Sequence, residues 1–210
     1  MTGVQTCALP IYLEMFSASK KSLRDRDNAE LPFDIYEKDK QINKFEREVR
    51  RNVLTHLTIS GIHNIVPGLA LVSIVIDVER LGDYAKNITE LAKAHPEKLD
   101  GGAYEKDLTE IEQTILLRFD QIIRVLSGPD VGLAKQMMIE HRGISTRCDN
   151  IVGDLIRGKD VPESSSDAIV LALYFRYLKR IAAHLTNIAS SIVNPFPRIG
   201  FRAKDIEEDD

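Results

Sequence analysis

Two carboxylates and an amide stand four residues apart in the middle of the chain, at Glu79, Asp83 and Asn87. In an α-helix this spacing stacks side chains one turn apart, so the three oxygens face the same neighbour or the same solvent. Without a cation the two acids repel each other by about 0.2–0.5 kcal/mol, and a bound cation would reverse that sign. Hard ions such as Fe, Mn, Mg or Ca accept oxygen ligands, but two carboxylates are too few, so further ligands must come from elsewhere. Two solvated acids beside Lys or Arg on a polar face fit the spacing as well.

The segment that carries these acids recurs in altered form one hundred positions later. Residues 77–88 read DVERLGDYAKNI and residues 177–188 read YLKRIAAHLTNI. Apolar residues run through both copies at helical spacing, which predicts two buried amphipathic helices with matching core stripes. The stripes are Leu71, Ile74, Val78, Leu81, Ala85 and Ile88 in the first copy and Leu171, Tyr174, Leu178, Ile181, Leu185 and Ile188 in the second. The acids are not repeated, because Lys179 and Ala183 stand at their positions. We therefore expect one metal site at most, in the first copy.

The remaining candidates for chemistry are weaker. His184 stands at the position of Tyr84, and a lone His beside a core stripe is typically a hydrogen-bonded packing residue. Cys148 has no partner at ligand spacing and is expected to be an inert thiol. No Gly-rich phosphate loop, nucleophile elbow or His-bearing catalytic cluster is found in the sequence, so an enzyme is not expected.

Six helices are predicted in two groups of three. The first ends near residue 24, and the others span about 34–57, 69–94, 103–126, 130–156 and 164–194, with Gly and Pro marking the breaks. Ser164 and Asp167 form a capping box before the last helix. No segment alternates like a strand. The sequence therefore predicts an all-α chain of two tandem antiparallel three-helix bundles, in residues 12–97 and 103–195.

The two ends of the chain fall outside these repeats. Residues 3–11 resemble the in-frame translation of a sequencing-library adapter, so residues 1–11 are predicted to be an artefact that truncates the first helix. The alternative is an ordinary disordered N-terminus. Residues 196–210 are predicted to be an acidic disordered tail, because Pro195 and Pro197 forbid continuation of the last helix.

Composition excludes several classes of partner. The net charge is −4 and the 28 basic residues are scattered, so nothing favours nucleic acid. No apolar run approaches the roughly 20 residues of a membrane span, so contact with a membrane is expected only through partners. The two cysteines are far apart, which suits a reducing, cytoplasmic compartment.

Residues 77–88 resemble the signature helix of the PhoU family, whose pattern reads roughly D-L-E-R-I-G-D-x-A-x-N-I. The resemblance implies two similar three-helix bundles and a cytoplasmic, non-enzymatic regulator of phosphate uptake. It implies a phosphate ABC transporter and a phosphate sensor kinase as partners, and a homodimer. It also implies a divalent or ferric ion (Fe, Zn, Mn or Mg) held by Glu79 and Asp83, with Asp77 and Asn87 as outer candidates. The chain departs from the family at Asn43, where an Asp is frequent, and at both lost acids of the second copy.

Two other hypotheses remain open at this stage. The chain could be the cytoplasmic C-terminal domain of a sodium-phosphate cotransporter, an arrangement in which the family's domain also occurs. It could instead be a metal-storing or metal-dependent enzyme with a carboxylate site inside a bundle. That would require more inward-facing acids than the sequence offers.

Overall fold

The computed structural model describes residues 3–25, 29–95 and 97–203. In these residues the segments with helical periodicity form six long α-helices. Over these residues there is no strand, and three short 3-10 helices span Gly61–Asn64, Gly102–Tyr104 and Phe196–Arg198. The α-helices are α1 (Gly3–Arg24), α2 (Ile35–Ser60), α3 (Ile65–Ala94), α4 (Glu105–Ser127), α5 (Val131–Ile156) and α6 (Ser165–Val193). The prediction of an all-α fold with a tandem repeat is confirmed.

Local sequence explains where most of these helices begin and end. The Ser164 hydroxyl accepts a hydrogen bond from the Asp167 backbone N–H at 3.4 Å, as the predicted N-cap requires. Asp130 caps α5 in the same way through the Leu133 N–H at 2.9 Å. Helix α3 starts at Ile65, one turn earlier than predicted, because Pro67 falls in the first turn, where its missing N–H costs nothing. Helix α1 starts at Gly3 and contains Pro10, so it extends into the segment assigned to an adapter.

Each repeat is an antiparallel three-helix unit, and the two repeats share one core. Helices α1, α2 and α3 pack together, as do α4, α5 and α6, while α1 also packs on α4 and α3 on α6. Most buried apolar side chains of both repeats form one continuous cluster, and Val49, Val53 and Val75 form a small separate one between α2 and α3. The predicted stripe on α6 is fully buried, and that on α3 is buried except for Leu71, which packs only partly. Each repeat therefore covers apolar surface of the other, so separating the two would expose that surface to water at a cost in free energy.

Helices α3 and α6 run antiparallel to each other, since Asp77 contacts His184 and Tyr84 contacts Tyr177. Repeat-related rings meet there, since Tyr84 and His184 stack with centroids 5.7 Å apart. The guanidinium of Arg180 donates to the Tyr84 hydroxyl at 3.1 Å. The internal duplication thus corresponds to an approximate two-fold axis that passes between α3 and α6.

A buried polar network joins the two repeats at α1 and α4. The carboxylate of Glu112 accepts from Arg24 Nε at 3.2 Å and from the Tyr174 hydroxyl at 2.7 Å. Lys20 lies 3.5 Å from the second Glu112 oxygen, and Arg24 also donates to the Leu99 carbonyl. Glu112 is 3% exposed, so its charge is offset by these partners and not by water.

The segment after α6 differs from its prediction. Residues 196–203 were assigned to a disordered tail, but the Asn194 amide donates to the carbonyls of Arg198 and Phe201 at 2.9 and 2.7 Å. The Gly200 N–H donates to Ser190 Oγ at 2.7 Å, which holds the segment against α6. The acidic residues that motivated the prediction begin at Asp205 and lie outside the described residues.

None of the helices in the described part of the chain is both long enough and apolar enough to cross a membrane.

Replacing Glu112 with Ala is expected to lower the free energy of unfolding by about 3–5 kcal/mol, because the Arg24 guanidinium would stay buried without its main counter-charge. Urea denaturation measures the change. Glu110→Ala is the matched control, since Glu110 lies on the same helix and pairs with Arg147 at the surface. The control should cost less than about 1 kcal/mol. Equal losses in the two variants would contradict the role assigned to the buried network.

Candidate functional site

The acidic row of α3 faces α1 and α2 and is partly shielded from solvent. Glu79 and Asp83 have side chains that are 19% and 27% exposed. Between them Gly82 is buried, and a Cβ there would lie 3.0 Å from Tyr12 Cε1, so the small residue is needed for the close approach of α1. The four-residue spacing allows these side chains to face either solvent or a neighbouring helix, and in the structure they face the neighbouring helices α1 and α2.

Helix α2 adds a third carboxylate to this face. Asp39 is 8% exposed, and its Oδ1 has no hydrogen-bond partner among the described residues. Its Oδ2 accepts from Asn43 Nδ2 at 3.1 Å. The ammonium of Lys86 bridges the helices, 2.9 Å from Asp39 Oδ2 and 3.0 Å from Asp83 Oδ1. The same helix supplies a fourth carboxylate, Glu46, which acts on Glu79 and is paired with Arg50 Nη2 at 2.7 Å. We call Asp39, Glu46, Glu79 and Asp83 the acidic face.

The acidic face carries more negative than positive charge. The pKa of Glu79 is raised, first by burial and then by the nearby Asp83 and Glu46 carboxylates. The pKa of the Tyr12 hydroxyl is also raised, by burial and then by Glu79 and Asp39. Arg80, which lies 3.8 Å from Glu79 and 3.3 Å from Asp83, is half exposed and offsets these charges only in part. A further cation at this face would be stabilised.

The structure separates the four predicted site residues. Glu79 and Asp83 lie on the acidic face, and Asn87 is partly buried one turn further along α3. Asp77 turns the other way, toward α6, where its Oδ1 accepts from His184 Nδ1 at 2.7 Å and from Asn187 Nδ2 at 3.1 Å. Asp77 therefore joins the two repeats and does not share the surroundings of Glu79 and Asp83.

Within the described ranges, no three His, Cys, Asp or Glu side chains are close enough together to hold a metal ion. On the acidic face the ammonium of Lys86 supplies positive charge between α2 and α3. The metal site stays a prediction.

The comparisons with known proteins agree with this architecture. A model of the PhoU domain matches the chain twice, over residues 10–92 and 108–192. The chain belongs to the PhoU family. A phosphate-specific transport system accessory protein PhoU homolog of Synechocystis sp. (strain ATCC 27184 / PCC 6803 / Kazusa) is 25% identical over 189 residues, which are 85% of this chain and 80% of that protein. The crystal structure of PhoU from Pseudomonas aeruginosa has the same fold, with a TM-score of 0.80 at 19% identity over 90% of this chain and 92% of that one.

The acids of this face belong to the first PhoU repeat of the chain and are not found in the second. Ile42 of α2 aligns with Ile144 of α5, and α3 aligns with α6 at a distance of one hundred residues. With that alignment every acid of the acidic face has a neutral or basic counterpart in the second repeat. Asp39, Glu46, Glu79 and Asp83 correspond to His141, Cys148, Lys179 and Ala183.

The counterparts in the second repeat are either neutral or paired with an acid of their own repeat. Lys179 pairs with Asp149 of α5 at 2.5 Å. The pKa of His141 is lowered to about 4 by burial and by the charges of Arg118 and Lys179, so its ring is neutral at pH 7. Cys148 is fully buried, and burial, followed by the Asp149 charge, raises its pKa to about 12. A thiol with such a pKa stays protonated at pH 7 and is therefore unreactive, as the sequence predicts.

Sequence reasoning missed Asp39, Glu46 and Lys86. A signal was present, because Asp39, Asn43 and Glu46 recur at intervals of four and three on one stripe of α2. Which stripe of α2 faces α3 depends on how the two helices are rotated about their axes, and the apolar pattern of α2 fixes that only loosely.

Asp77→Ala is expected to lower the free energy of unfolding by about 1–3 kcal/mol, because it removes the acceptor shared by His184 and Asn187 at the contact between the repeats. Glu79→Ala on the same helix should change it by less than about 0.5 kcal/mol or raise it, since it relieves repulsion with Asp83. Both are measured by urea denaturation in the presence of EDTA. A larger loss of stability in Glu79→Ala than in Asp77→Ala would contradict the structural role given to Asp77.

Proposed function

We propose that this chain is a non-catalytic regulator of phosphate transport, which works by binding to other proteins. The observation that carries the proposal is the match of both repeats to the PhoU domain. Its curated relative is described as an accessory protein of a phosphate-specific transport system. Without a reaction to catalyse, such a protein can act only by binding one state of a partner more tightly than another.

The proposed partners are a phosphate ABC transporter and a phosphate sensor kinase, with the chain acting from the cytoplasm as a homodimer. The cotransporter alternative is not favoured, because the Synechocystis relative is described as an accessory protein. The match to this chain covers 80% of the length of that protein. The carboxylate-site enzyme is not proposed, because both repeats match the PhoU domain.

We further propose that Glu79 and Asp83 hold one metal ion, with Asp39 as the additional carboxylate that the sequence did not reveal. Three features support the fit: the raised pKa of Glu79, the unpartnered Asp39 Oδ1 and the all-oxygen character of the face. Lys86 opposes it, since its ammonium lies against Asp39 and Asp83 and would have to swing away. Asp77 and Asn87 are the weaker candidates. The ion, Fe, Zn, Mn or Mg, would neutralise the acidic face and tie α2 to α3.

For the metal site, purified protein incubated with Mn²⁺ and separately with Fe, Zn or Mg should retain about one equivalent of a metal. Glu79→Ala and Asp83→Ala should each weaken binding by about tenfold or more, because each removes a carboxylate ligand. Asp149→Ala, an acid of the second repeat, is the control and should leave binding unchanged. Elemental analysis and calorimetric titration make the measurement.

Lys86→Met sharpens the same test, because it removes the cation that competes for Asp39 and Asp83 and should tighten metal binding. Equal metal content in the wild type, Glu79→Ala and Asp83→Ala would remove the site. Weaker binding in Lys86→Met would show that the metal does not replace the ammonium.

For the regulatory role, the immobilised chain is expected to retain the phosphate ABC transporter and the phosphate sensor kinase from detergent extracts of the same cells. An ABC transporter for another substrate in the same extract is the internal control. Quantitative mass spectrometry should show enrichment of the phosphate system alone. Retention of neither partner, or of both transporters equally, would count against the proposal.

A further inference from the structure

The hairpin of α2 and α3 ends in a long stretch without charged residues, residues 52–76, which we call the apolar tip. It contains no Asp, Glu, Lys or Arg, although 29% of the whole chain is charged. Residues 181–193 of α6 are also free of such residues, but most of their side chains are buried, so charge is excluded there by the core. Burial does not explain the apolar tip in the same way, because much of it is exposed.

Large apolar side chains are concentrated on the surface of the apolar tip. Among the described residues fifteen such side chains are exposed, and six of them lie on the tip. They are Leu54, Ile59, Ile65, Val66, Leu69 and Ile76. Single exposed apolar residues are ordinary on a soluble protein, but a group of them on one end of the molecule marks a surface for contact with another apolar phase.

The exposed side chains are not needed to hold the hairpin together. Its two helices are joined by the small cluster of Val49, Val53 and Val75. Leu57 fills the space above Gly68, where an added Cβ would lie 3.2 Å from both Leu57 methyl carbons. The outward-facing residues are therefore free to serve another purpose.

The equivalent tip of the second repeat, where α5 meets α6, has a different character. Residues 154–167 carry four acidic and two basic side chains. Ile156 and Ile169 are 78% and 62% exposed there, but they stand among charges. A charge-free tip is thus a property of the first hairpin and not of the repeated scaffold.

Positive charge borders the apolar tip. On α2 just before it, residues 47–51 contain three Arg and one Glu. Arg50 pairs with Glu46, whereas Arg47 and Arg51 are exposed and form no ion pair with a described residue. Because α3 and α6 run antiparallel, the end of α6 lies beside the beginning of α3, and the segment Phe196–Arg198 packs on α3. Residues 181–203 at this end include two Arg and no acid.

An apolar tip with a basic border matches the surface of a bilayer that contains anionic lipids. Apolar side chains of such elements enter the boundary of headgroups and acyl chains to a depth of about 5–10 Å, and basic side chains bind the headgroups. Two helical turns span about 11 Å, so Ile59, Val66 and Leu69, all within two turns of the link Gly61–Asn64, can reach that depth. A second copy of the chain fits less well, since contact of two tips would bring their positive borders together.

We propose that the apolar tip inserts into the surface of an anionic bilayer, with Arg47 and Arg51 in contact with the headgroups. The contact is peripheral, because none of the described helices can cross a membrane. It is also direct, whereas the sequence led us to expect contact with a membrane only through partners. The proposal does not depend on the regulatory role, since it needs neither the transporter nor the kinase.

Co-sedimentation of the full chain with vesicles tests the proposal. Vesicles of phosphatidylcholine with phosphatidylglycerol should bind the chain at least about tenfold more tightly than vesicles of phosphatidylcholine alone, because only the former attract the unpaired Arg side chains. Added salt should weaken the binding without abolishing it, since screening leaves the apolar contribution in place.

Ile59→Gln/Val66→Gln should weaken binding to the anionic vesicles by about tenfold or more, because two side chains would no longer enter the apolar region. Ile156→Gln/Ile169→Gln is the matched change at the tip of the second repeat and should leave binding unchanged. All four side chains are more than half exposed, so both variants should fold as the wild type does.

Arg47→Gln/Arg51→Gln tests the electrostatic part and should weaken binding to the anionic vesicles by about tenfold. Its control is Lys106→Gln/Arg176→Gln, which makes the same change in net charge at exposed positions away from the tip. The control should bind as the wild type does.

A fluorescence measurement reports insertion itself. The chain contains no Trp, so Ile59→Trp places a single indole at the apolar tip. Its emission should shift to shorter wavelength on the anionic vesicles and should be quenched by brominated lipid. Ile156→Trp, at the other tip, should show neither change.

Four results would overturn the proposal. The first is absence of binding to both kinds of vesicle, and the second is equal weakening by the two Ile-directed double variants. The third is wild-type binding by Ile59→Gln/Val66→Gln, because the chain would then adsorb by charge alone. The fourth is a wild-type dimer that this variant converts into a monomer without vesicles, measured by analytical ultracentrifugation, because the tip would then belong to a second copy.

Discussion

The apolar stripes of α3 and α6 pack against each other in antiparallel fashion, and every other part of the molecule is arranged around that contact. Each of these helices also packs on two helices of its own repeat, so its stripe is covered from several sides. With the stripe of α3 directed inward, the row of Glu79 and Asp83 can only turn toward α1 and α2. The site is therefore positioned by the core, and the close approach of Tyr12 to Gly82 sets how far apart the helices stand.

Much of this arrangement could be predicted from the sequence, because the duplication is visible and helical periodicity is a local property. The apolar stripes, the cap at Ser164 and the loss of acids in the second copy needed only the spacing of residues along one helix. Asp77 shows where that reasoning ends. It lies in the same motif as Glu79, but its partners are 107 and 110 residues away on α6. Its side-chain direction depends on a contact between helices that no local pattern records. Asp39 was missed for the same reason.

The duplicated scaffold has kept its apolar residues and changed its charged ones. On one face the positions that carry carboxylates in the first repeat carry imidazole, thiol, ammonium and methyl groups in the second. Because the two faces lie on different helix pairs of one shared core, their charges can differ without altering the packing that supports both. Asp39 in the first repeat and Arg118 in the second are among the buried side chains with unsatisfied polar atoms, and they carry opposite charge.

Because the two repeats share one core, the first repeat cannot bury all of its apolar surface while the second is still being synthesised. Phe16 of α1 stacks on Phe119 of α4, and α3 completes its burial only against α6, which begins one hundred residues after α3 begins. At roughly 5–20 residues per second, the first repeat waits on the order of 5–20 s before its partner surface exists. During that interval an apolar stripe about as long as α3 is open to solvent and to chaperones. The duplication that makes the fold easy to recognise therefore also makes the two repeats depend on each other during synthesis, because the first is fully covered only after α6 has been made.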